Sequence, residues 1–417
     1  DYREDKRNLF ENNSEVMLKY GQKFNDLSVN AFVGGNLRNF GFNSSYASTN
    51  YLNTPGVYNF SNSLRPVQVF NFKSDMQVQS AYYSADFSYK NFLTLSTTGR
   101  LDKLSTLPQG NNTFFYPSAG LSTVVSDYLK LPEVVSFLKL RGSYANVKDG
   151  LTSATIGATP GASFPLGYGD NYASSYDGPS YRNSVGYGIQ PVYNNTPGAY
   201  YSNTLNNPSL KPNSTEQMDA GLELNLFKNR LSFDVTYFVS NEGPRIFNQD
   251  LSQTTGYTGA IVNGIKTQRK GWEITLKGTP VKTQKITWDV LVNWSTYREY
   301  LKEIYGNVTQ LPSNYFVGGN DSRIAINIGD RIDPVIVGAF ARTPDGQLIN
   351  DAGGRPIVLP RGTQQGYALP DFVWSLQNQV AYKNFSLRFQ FDGRVGGVIE
   401  DYISRQTFRG GRNILTV

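Results

Sequence analysis

The stretch "LELNLFKNRLSFDVTYFVS", residues 222–240, alternates apolar and polar side chains on both sides of a short turn. A period of two predicts β-strands with unlike surroundings on their two faces, and the Lys-Asn pair at 228–229 predicts a two-residue hairpin turn. Pairing across that turn would place Glu223 opposite Asp234, and Lys277 is the cation expected to neutralise them. The hairpin alone allows a soluble sandwich or a membrane barrel with lipid outside and water within.

The composition of the chain indicates many strands joined by turns. It has 28 Tyr, 25 Phe, 40 Gly and 20 Pro in 417 residues, and aromatic residues favour strands while Gly and Pro favour turns. Cys and His are absent, which excludes disulfides, Cys or His nucleophiles and zinc sites built from those ligands. We therefore expect no metal and no cofactor.

Charge and hydropathy narrow the class of protein further. The net charge of +6 comes from 39 basic and 33 acidic residues, spread too evenly for the basic stripe that nucleic-acid binding shows. No apolar run approaches the length of a transmembrane helix, and "DYREDKRNLFENN" at the start is not a signal segment. Transmembrane strands need only about ten residues each, so a barrel stays open.

Tight turns and long connections alternate along the chain. Besides the opening hairpin, tight turns are predicted at Lys90-Asn91, at Lys383-Asn384 and near residues 22–27, and slightly longer ones near 127–140 and 278–294. The connections between them are long, polar and rich in Gly, Asn and Tyr: 36–76, 103–112, 148–215, 242–268 and 299–371. This alternation is typical of an outer-membrane barrel, which has short periplasmic turns and long extracellular loops.

The strands have the length that such a barrel needs. Segments of about ten residues suit a tilted spanning strand, and about 12 or 13 of them can be counted. They include 79–89, 92–102, 217–227, 230–240, 285–296 and 372–382. The sequence therefore predicts an all-β fold: an antiparallel, up-and-down transmembrane β-barrel.

Four segments resemble the SusC/RagA family of TonB-dependent outer-membrane transporters, in family order. They are "FFYPSAGLSTVVSDYLKLPEVVSFLKLRGSYANV" (114–147), "NNPSLKPNSTEQMDAGLELNLFKNRLSFDVTYF" (206–238), "NGIKTQRKGWEITLKGTPVKTQKITWDVLVNWS" (263–295) and "LPDFVWSLQNQVAYKNFSLRFQFDGRVGG" (369–397). The motifs within them are Pro117-Ser118, Lys139-Leu140-Arg141, Lys211-Pro212, Gly271 with Glu273, Asp392-Gly393-Arg394 and Gly396-Gly397. Asn213 departs from the family, which commonly has Glu after Lys-Pro.

The resemblance implies a fragment of a larger barrel of about 22 strands with a plugged lumen. Residues 1–417 would be one partial barrel domain from the middle to late part of the barrel, with the plug domain and terminal strands outside this chain. It also implies two partners: a SusD-like surface lipoprotein that closes over the barrel, and the TonB complex, reached through the missing N-terminal region. The remaining surroundings would be outer-membrane lipid and a glycan or peptide substrate, with no nucleic acid.

Six charged side chains fall on the predicted polar strand faces, which in a barrel point into the wet lumen. We expect them to line the lumen and to solvate or dock the plug; they are Glu223, Asp234, Glu273, Lys277, Arg388 and Arg394. Adjacent carboxylates can also form a glycosidase acid/base pair. A polar wall is the simpler interpretation, so no catalytic residue is predicted.

The longest polar connection is rich in tyrosine, whose rings suit stacking against sugars or peptides. Its candidate substrate-binding residues are Tyr168, Tyr172, Tyr176, Tyr181, Tyr187 and Tyr193. Packing of the loop against its neighbours or the lipoprotein is the alternative. The segment 343–356, with Asp345 and Asp351 among glycines, lacks the ligand spacing of a calcium loop, and a turn-rich hairpin is predicted there.

Taken together, these patterns predict a multi-pass barrel of the bacterial outer membrane. The resemblance implies that it acts as a TonB-dependent importer of a bulky nutrient, a glycan or oligopeptide, and not as an enzyme. Two alternatives stay open: a passive porin or adhesin-like barrel, and a secreted all-β carbohydrate-binding protein or hydrolase.

Overall fold

A computed structural model of the chain describes residues 2–49, 51–150, 183, 187–192, 196–201, 203–312, 325–337, 340–359, 363–399, 401–412 and 414. The longer elements are the strands β1 (Arg3–Phe24), β2 (Leu27–Ser48), β3 (Gln68–Tyr89), β4 (Leu93–Leu104), β5 (Thr113–Val124), β6 (Val135–Asp149), β10 (Asn213–Leu226), β11 (Leu231–Glu242), β14 (Lys266–Lys282), β15 (Ile286–Glu303), β20 (Phe372–Tyr382) and β21 (Phe385–Val395). The short elements are the strands β7 (Tyr187–Val192), β8 (Thr196–Tyr201), β9 (Thr204–Leu205), β12 (Arg245–Asp250), β13 (Gly259–Gly264), β16 (Gln310–Pro312), β17 (Ala325–Asn327), β18 (Pro334–Val337) and β19 (Thr363–Tyr367), and the helix α1 (Tyr402–Arg409). No helix in the described ranges is long and apolar enough to cross a membrane.

Twelve strands form one sheet in the order β1-β2-β3-β4-β5-β6-β10-β11-β14-β15-β20-β21. Each strand lies beside the next long strand of the chain, so the order is up-and-down, and short strands interrupt it only within the long connections. Among the described residues, twelve agrees with the lower of the two predicted strand counts. The predicted all-β, antiparallel class is confirmed.

The chain divides into two compact units, and the first comprises Asp1–Leu121, Tyr144–Glu216 and Gly243–Gly264. Its strands β1 to β4 pair in a continuous antiparallel register. One face carries a row of apolar side chains, such as Leu18 opposite Val33 and Val33 opposite Tyr83. A buried apolar cluster lies on the other face, toward the ends of the strands that are far from the tight turns.

The second unit comprises Ser122–Ser143, Gln217–Glu242 and Ile265–Val417. Its strands β11, β14, β15, β20 and β21 also pair antiparallel, with an irregularity between Gly278 and Val281. Near the far end of β15, Leu301, Ile304, Ile326 and Ile336 are buried, and the backbone of Leu301 is hydrogen-bonded to Gly329 and Asp330. The connections after β15 are therefore packed against that strand where the structure describes them.

Most tight turns lie where the sequence predicts them, but the opening hairpin differs. Its turn contains four residues, 227–230, because Phe227, Lys228 and Asn229 all adopt positive φ. The amide of Arg230 donates to the carbonyl of Leu226 at 3.0 Å and thereby closes the turn. The predicted two-residue turn is therefore one residue too short on each side, although the amide of Arg230 also donates to the Phe227 carbonyl at 3.3 Å.

The predicted connection at 36–76 is also wrong in its bounds. Strand β2 continues to Ser48 and β3 begins at Gln68, so the connection spans only residues 49–67. The Asn, Ser and Gly residues there resemble a loop in composition. Backbone pairing satisfies their amides and carbonyls as well as a turn would. Phe40 and Phe42 follow the period of two on β2, and both are buried together with Met76, which lies opposite Phe40 on β3.

Three of the other predicted connections contain structure of their own. Strands β7, β8 and β9 lie between β6 and β10, the pair β12 and β13 lies between β11 and β14, and β16 to β19 lie between β15 and β20. Short paired strands satisfy backbone groups that a long irregular loop would leave to water. Sequence periodicity over two to six residues is too short to predict them.

Candidate functional site

The second unit has one apolar and one polar face, and its register shows which side chains share each face. On one face a cross-strand row runs through Val235, Ile274, Trp294 and Trp374. The neighbouring row on the opposite face is polar throughout and runs through Asp234, Thr275, Asn293, Ser375 and Asp392. Because successive strand residues point to opposite faces, this contrast extends along the strands.

The polar row is tied together by side-chain hydrogen bonds. The Thr275 hydroxyl donates to Asn293 Oδ1 at 3.0 Å, and Asn293 Nδ2 donates to the Ser375 hydroxyl at 3.1 Å. At the end of the row, Gln390 Nε2 donates to Asp392 Oδ1 at 2.9 Å. Thr275, Asn293 and Ser375 thus form a hydrogen-bonded ladder in the middle of the row, whose donors and acceptors can also bind water or polar groups of a ligand.

A cleft of about 580 Å³ lies along this ladder. Glu273 and Arg394 lie at its ends, in the row next to the ladder, and Thr275, Asn293 and Ser375 lie between them. Trp294 and Trp374 also contribute to the lining. The cleft therefore combines both signs of charge with amide and hydroxyl groups, which suits polar contacts.

Five of the six charges predicted for the lumen share this polar face. Asp234, Glu273 and Lys277 lie on β11 and β14, and Arg388 and Arg394 lie on β21 in matching positions. Arg388 donates to Gln377 Oε1 at 2.8 Å. That these side chains line a lumen stays a prediction.

Glu223 is the sixth predicted charge, and it lies on β10 beside β11. The Ser232 hydroxyl donates to Asn225 Oδ1, which joins two residues that the predicted pairing places opposite each other. The same pairing puts Glu223 opposite Asp234. The two carboxylates therefore share the polar face, as the sequence predicts.

The cation that neutralises Asp234 is Arg141, not Lys277 as expected. Arg141 lies on β6 and reaches across β10 to donate two hydrogen bonds to Asp234, at 2.6 and 3.1 Å, and one to the Thr236 hydroxyl at 2.7 Å. Gly221 on β10 makes this possible, because a Cβ there would lie 2.5 Å from Arg141 Nε. In the sequence, the only indication of this crossing is that Gly221, two residues before Glu223, interrupts the row of side chains on the polar face.

The polar face of the first unit carries a second network that sequence reasoning missed. The Tyr82 hydroxyl donates to Glu15, crossing Gly34 on the strand between them. Arg100 pairs with Asp102 at 2.8 Å, and Asp102 is largely buried and also accepts from the Tyr116 hydroxyl. These side chains lie on one face of β1, β3, β4 and β5, and their contacts depend on register.

One of the six candidate tyrosines, Tyr187, lies among the described residues. Tyr168, Tyr172, Tyr176, Tyr181 and Tyr193 lie outside the described residues. Tyr187 begins β7 and pairs with Tyr201 on β8. Substrate binding by these tyrosines stays a prediction.

The segment 343–356 forms turns in which its carboxylates bind the backbone. Asp351 Oδ1 accepts from the amides of Gly353 and Arg355, both at 2.9 Å. Hydrogen bonding, chiefly from the Thr343 hydroxyl, lowers the pKa of Asp345 from its usual range. These bonds account for both side chains by the turn alone.

Comparison with known proteins supports the architecture. The model of the family "TonB dependent receptor-like, beta-barrel" matches residues 1–333. TonB-dependent receptor P26 of Formosa agariphila is 24% identical over 82% of this chain and 34% of its own length. SusC of Bacteroides thetaiotaomicron is 22% identical over 93% of this chain and 38% of its own length. The chain thus spans well under half the length of these relatives.

A solved structure with a similar fold is the RagAB peptide importer in its "closed-closed" state. It superposes with a TM-score of 0.72 at 15% identity, over 95% of this chain and 42% of that chain. At this identity the likeness shows the fold alone. In both kinds of comparison, the sheet matches part of a much longer barrel chain.

Proposed function

The chain belongs to the family of TonB-dependent receptor-like β-barrels, and from that premise we propose that it is part of the wall of an energised importer for a bulky nutrient, a glycan or an oligopeptide. Its place is the bacterial outer membrane. The transport activity, substrate and partners are proposed for the whole protein, since this chain spans less than half the length of the relatives that it matches.

The observation that carries the proposal is the division of the sheet into two chemically different faces. Apolar side chains such as Leu18, Val33 and Leu95 are exposed along one face, and none of the residues that the structure describes covers them. Such a surface is unfavourable in water and favourable in lipid. The opposite face carries the hydrogen-bonded ladder and the charge networks, which need water or a polar ligand.

The proposed function differs from that of a passive pore in that import requires energy supplied through TonB. TonB-dependent receptors take their name from coupling to TonB, and the relatives reported above carry that name or are described as transporters. We propose that the polar face borders a plug that TonB displaces, with Glu273 and Arg394 among the groups that contact it. Passive diffusion is the competing function, and only the response to loss of energy distinguishes the two.

The substrate class is proposed from residues and relatives together. RagAB is described as a peptide importer, and a surface lipoprotein of the SusD type is the proposed lid, as the resemblance to SusC implies. The six candidate tyrosines would stack on sugar rings or peptide groups at the extracellular mouth. Catalysis is not part of the proposal, since the relatives are receptors and transporters.

The test is growth of the native bacterium with the full-length gene deleted and then restored. We expect the deletion to abolish growth on one polymeric glycan or peptide mixture as sole carbon source, and the restored gene to return it. A restored gene without the segment that contacts TonB should fail, although the barrel is present in the outer membrane. Normal growth with that truncated gene would indicate a passive pore and contradict the proposal.

The tyrosines are tested within the same strain. Deleting residues 168–187 should abolish growth on that nutrient, while the barrel keeps its heat-modifiable mobility on gels because loops contribute little to the strand ladder. Each single Tyr→Ala change should weaken binding by about 0.5 to 1.5 kcal/mol. Unchanged growth of the loop deletion would assign substrate binding to other parts of the protein.

A further inference from the structure

The polar face of the first unit becomes apolar toward the strand ends that are far from the tight turns. On β2, Asn36 and Arg38 lie on this face, and the next side chains along it are Phe40 and Phe42. Phe40 and Phe42 are only 3% and 4% exposed, and Met76 on β3, opposite Phe40, is 4% exposed. A wall that otherwise faces water is therefore covered at this level.

Two later segments of the chain pack on this face and bury Phe40, Phe42 and Met76: the residues before β10 and the β12–β13 hairpin. Leu210, in the approach to β10, is fully buried, and Ile246 and Ile261 of strands β12 and β13 complete the same cluster. Leu104 and Phe114 are the contributions of β4 and β5. The β12–β13 hairpin, Arg245–Gly264, thus lies on the polar side of the wall, beyond Arg38.

The hairpin is held on both of its own faces. Ile246 and Ile261 share one face, and Phe247 pairs with Val262 on the other; all four side chains are buried. Strand β13 also pairs in parallel with β9. A hairpin buried on both sides has the packing of a core element, which opposes outward movement because its apolar side chains would enter water.

Polar bonds fix the hairpin to the first residue of β10 and to the segment before it. The amide of Lys211 donates to Asn263 Oδ1 at 2.7 Å, and Asn263 Nδ2 donates back to the Lys211 carbonyl at 2.8 Å. The amide of Ile246 donates to Asn213 Oδ1 at 2.7 Å. These bonds place Asn213, the residue at which the sequence departs from the family motif, at the base of the hairpin.

We propose that the β12–β13 hairpin is a fixed constriction on the inner wall that sets the size limit for solutes entering along this part of the barrel. The inference rests on the proposed function, since it takes the polar face as the import path. It assigns size selection to an element held by an apolar core, independent of substrate. The solutes that pass must be narrow enough for the remaining gap, whatever their chemical class.

The test measures access to a single cysteine, which is unambiguous within this segment because it has no native cysteine. In the full-length protein in intact cells, Asn36→Cys places a thiol on the polar face below the hairpin. Tyr58→Cys, in the exposed connection after β2, is the control. Both are treated with a small maleimide and with a maleimide carried on a long polyethylene glycol chain.

With the hairpin intact, we expect the small reagent alone to label Asn36→Cys, and both reagents to label Tyr58→Cys. Replacing residues 247–262 by a short Gly-Ser turn should let the large reagent label Asn36→Cys as fast as it labels the control. Labelling of Asn36→Cys by the large reagent before the replacement, or its exclusion afterwards, would overturn the proposal. So would failure of the small reagent in every form, because the position would then lie outside the path.

A second variant keeps the proposal testable if the replacement does not reach the membrane. Asp250→Trp with Gln253→Trp adds bulk at exposed positions of the hairpin and leaves its buried side chains unchanged. We expect slower labelling of Asn36→Cys by the small reagent and an unchanged rate at Tyr58→Cys. Equal rates with and without the added tryptophans would contradict a constriction at this hairpin.

The two hypotheses fail separately. Labelling requires no energy and no nutrient, so a change in the size limit can be seen even if TonB-coupled import is disproved. Conversely, energised growth with an unchanged size limit would retain the importer and reject the constriction.

Discussion

Individual glycines let long side chains cross a strand and bind two strands away. Arg141 crosses Gly221 to reach Asp234, and Tyr82 crosses Gly34 to reach Glu15. A Cβ on the middle strand would occupy the same space, so glycine is required for its lack of a side chain and not for its backbone freedom. The alternation of residues predicts which face a charge lies on, but its partner depends on register, which a single sequence does not specify.

The crossing of Arg141 over Gly221 leaves no room for a side chain at that position. Gly221→Ala should displace the Arg141 guanidinium from Asp234 and cost about 1 kcal/mol, a small value because both charged groups are partly exposed. Gly142→Ala is the matched control, since its Cβ would meet its nearest neighbour at an ordinary 3.7 Å. The measurement is the midpoint of heat-modifiable mobility in detergent. Equal midpoints for the two variants would show that the arginine bridge contributes nothing to stability.

Adjacent residues on β14 test the assignment of the faces. Ile274 lies in the apolar row and Thr275 in the polar row, opposite Asp234. Ile274→Arg should cost about 2 to 4 kcal/mol of barrel stability, whereas Thr275→Arg should be mild. The unfolding free energy of each variant, measured in lipid vesicles, checks this. A larger cost at Thr275 would reverse the two faces.

At the level of elements, turns with the same sequence differ in backbone. The aromatic-Lys-Asn pattern recurs three times, but it forms a two-residue turn between β20 and β21 and a four-residue turn between β10 and β11. The sequence predicts that the chain reverses there, because Asn tolerates the left-handed region. It cannot predict how many residues adopt positive φ, since that depends on how the paired strands twist.

Asn91 and Asn384 occupy the same place in the aromatic-Lys-Asn pattern but differ in backbone conformation. Asn91 has a φ of +63°, whereas in the turn at residues 383–384 Lys383 alone has positive φ. Asn91→Val should therefore cost about 1 to 2 kcal/mol, and Asn91→Gly should cost nothing or stabilise slightly. Asn384→Val should be milder than Asn91→Val in the same thermal assay. The reverse order would contradict the turn geometry.

The alternation of apolar and polar residues predicts the membrane-spanning part of a strand better than the part that continues beyond it. The predicted segment 79–89 is the apolar-alternating half of β3, which begins at Gln68. In its other half, Met76 and Val78 pack in the cluster around Phe40 on the polar side of the wall. The polar composition of this half indicates a loop. The sequence does not show that it is a strand, because the residues that bury Met76, such as Leu210 and Ile246, lie far along the chain.

At the scale of the whole molecule, the chain is one part of an outer-membrane barrel with long connections that carry structure of their own. The up-and-down order, the two-faced sheet and the family match agree on this architecture. The alternation of short turns and long connections predicts it from sequence, because a barrel has different surroundings at its two ends. The small strands and the β12–β13 hairpin are not predictable in the same way, since tertiary burial stabilises them.

The central claim, a barrel with its long connections outside the cell, is tested most directly by cysteine labelling in intact bacteria. Cysteines replacing Tyr58 and Asn307, in long connections, should react with a membrane-impermeant maleimide on whole cells. Cysteines replacing Asn229 and Asn384, in tight turns, should react only after the outer membrane is opened. Reaction of the turn positions on intact cells, with the long connections silent, would contradict the account.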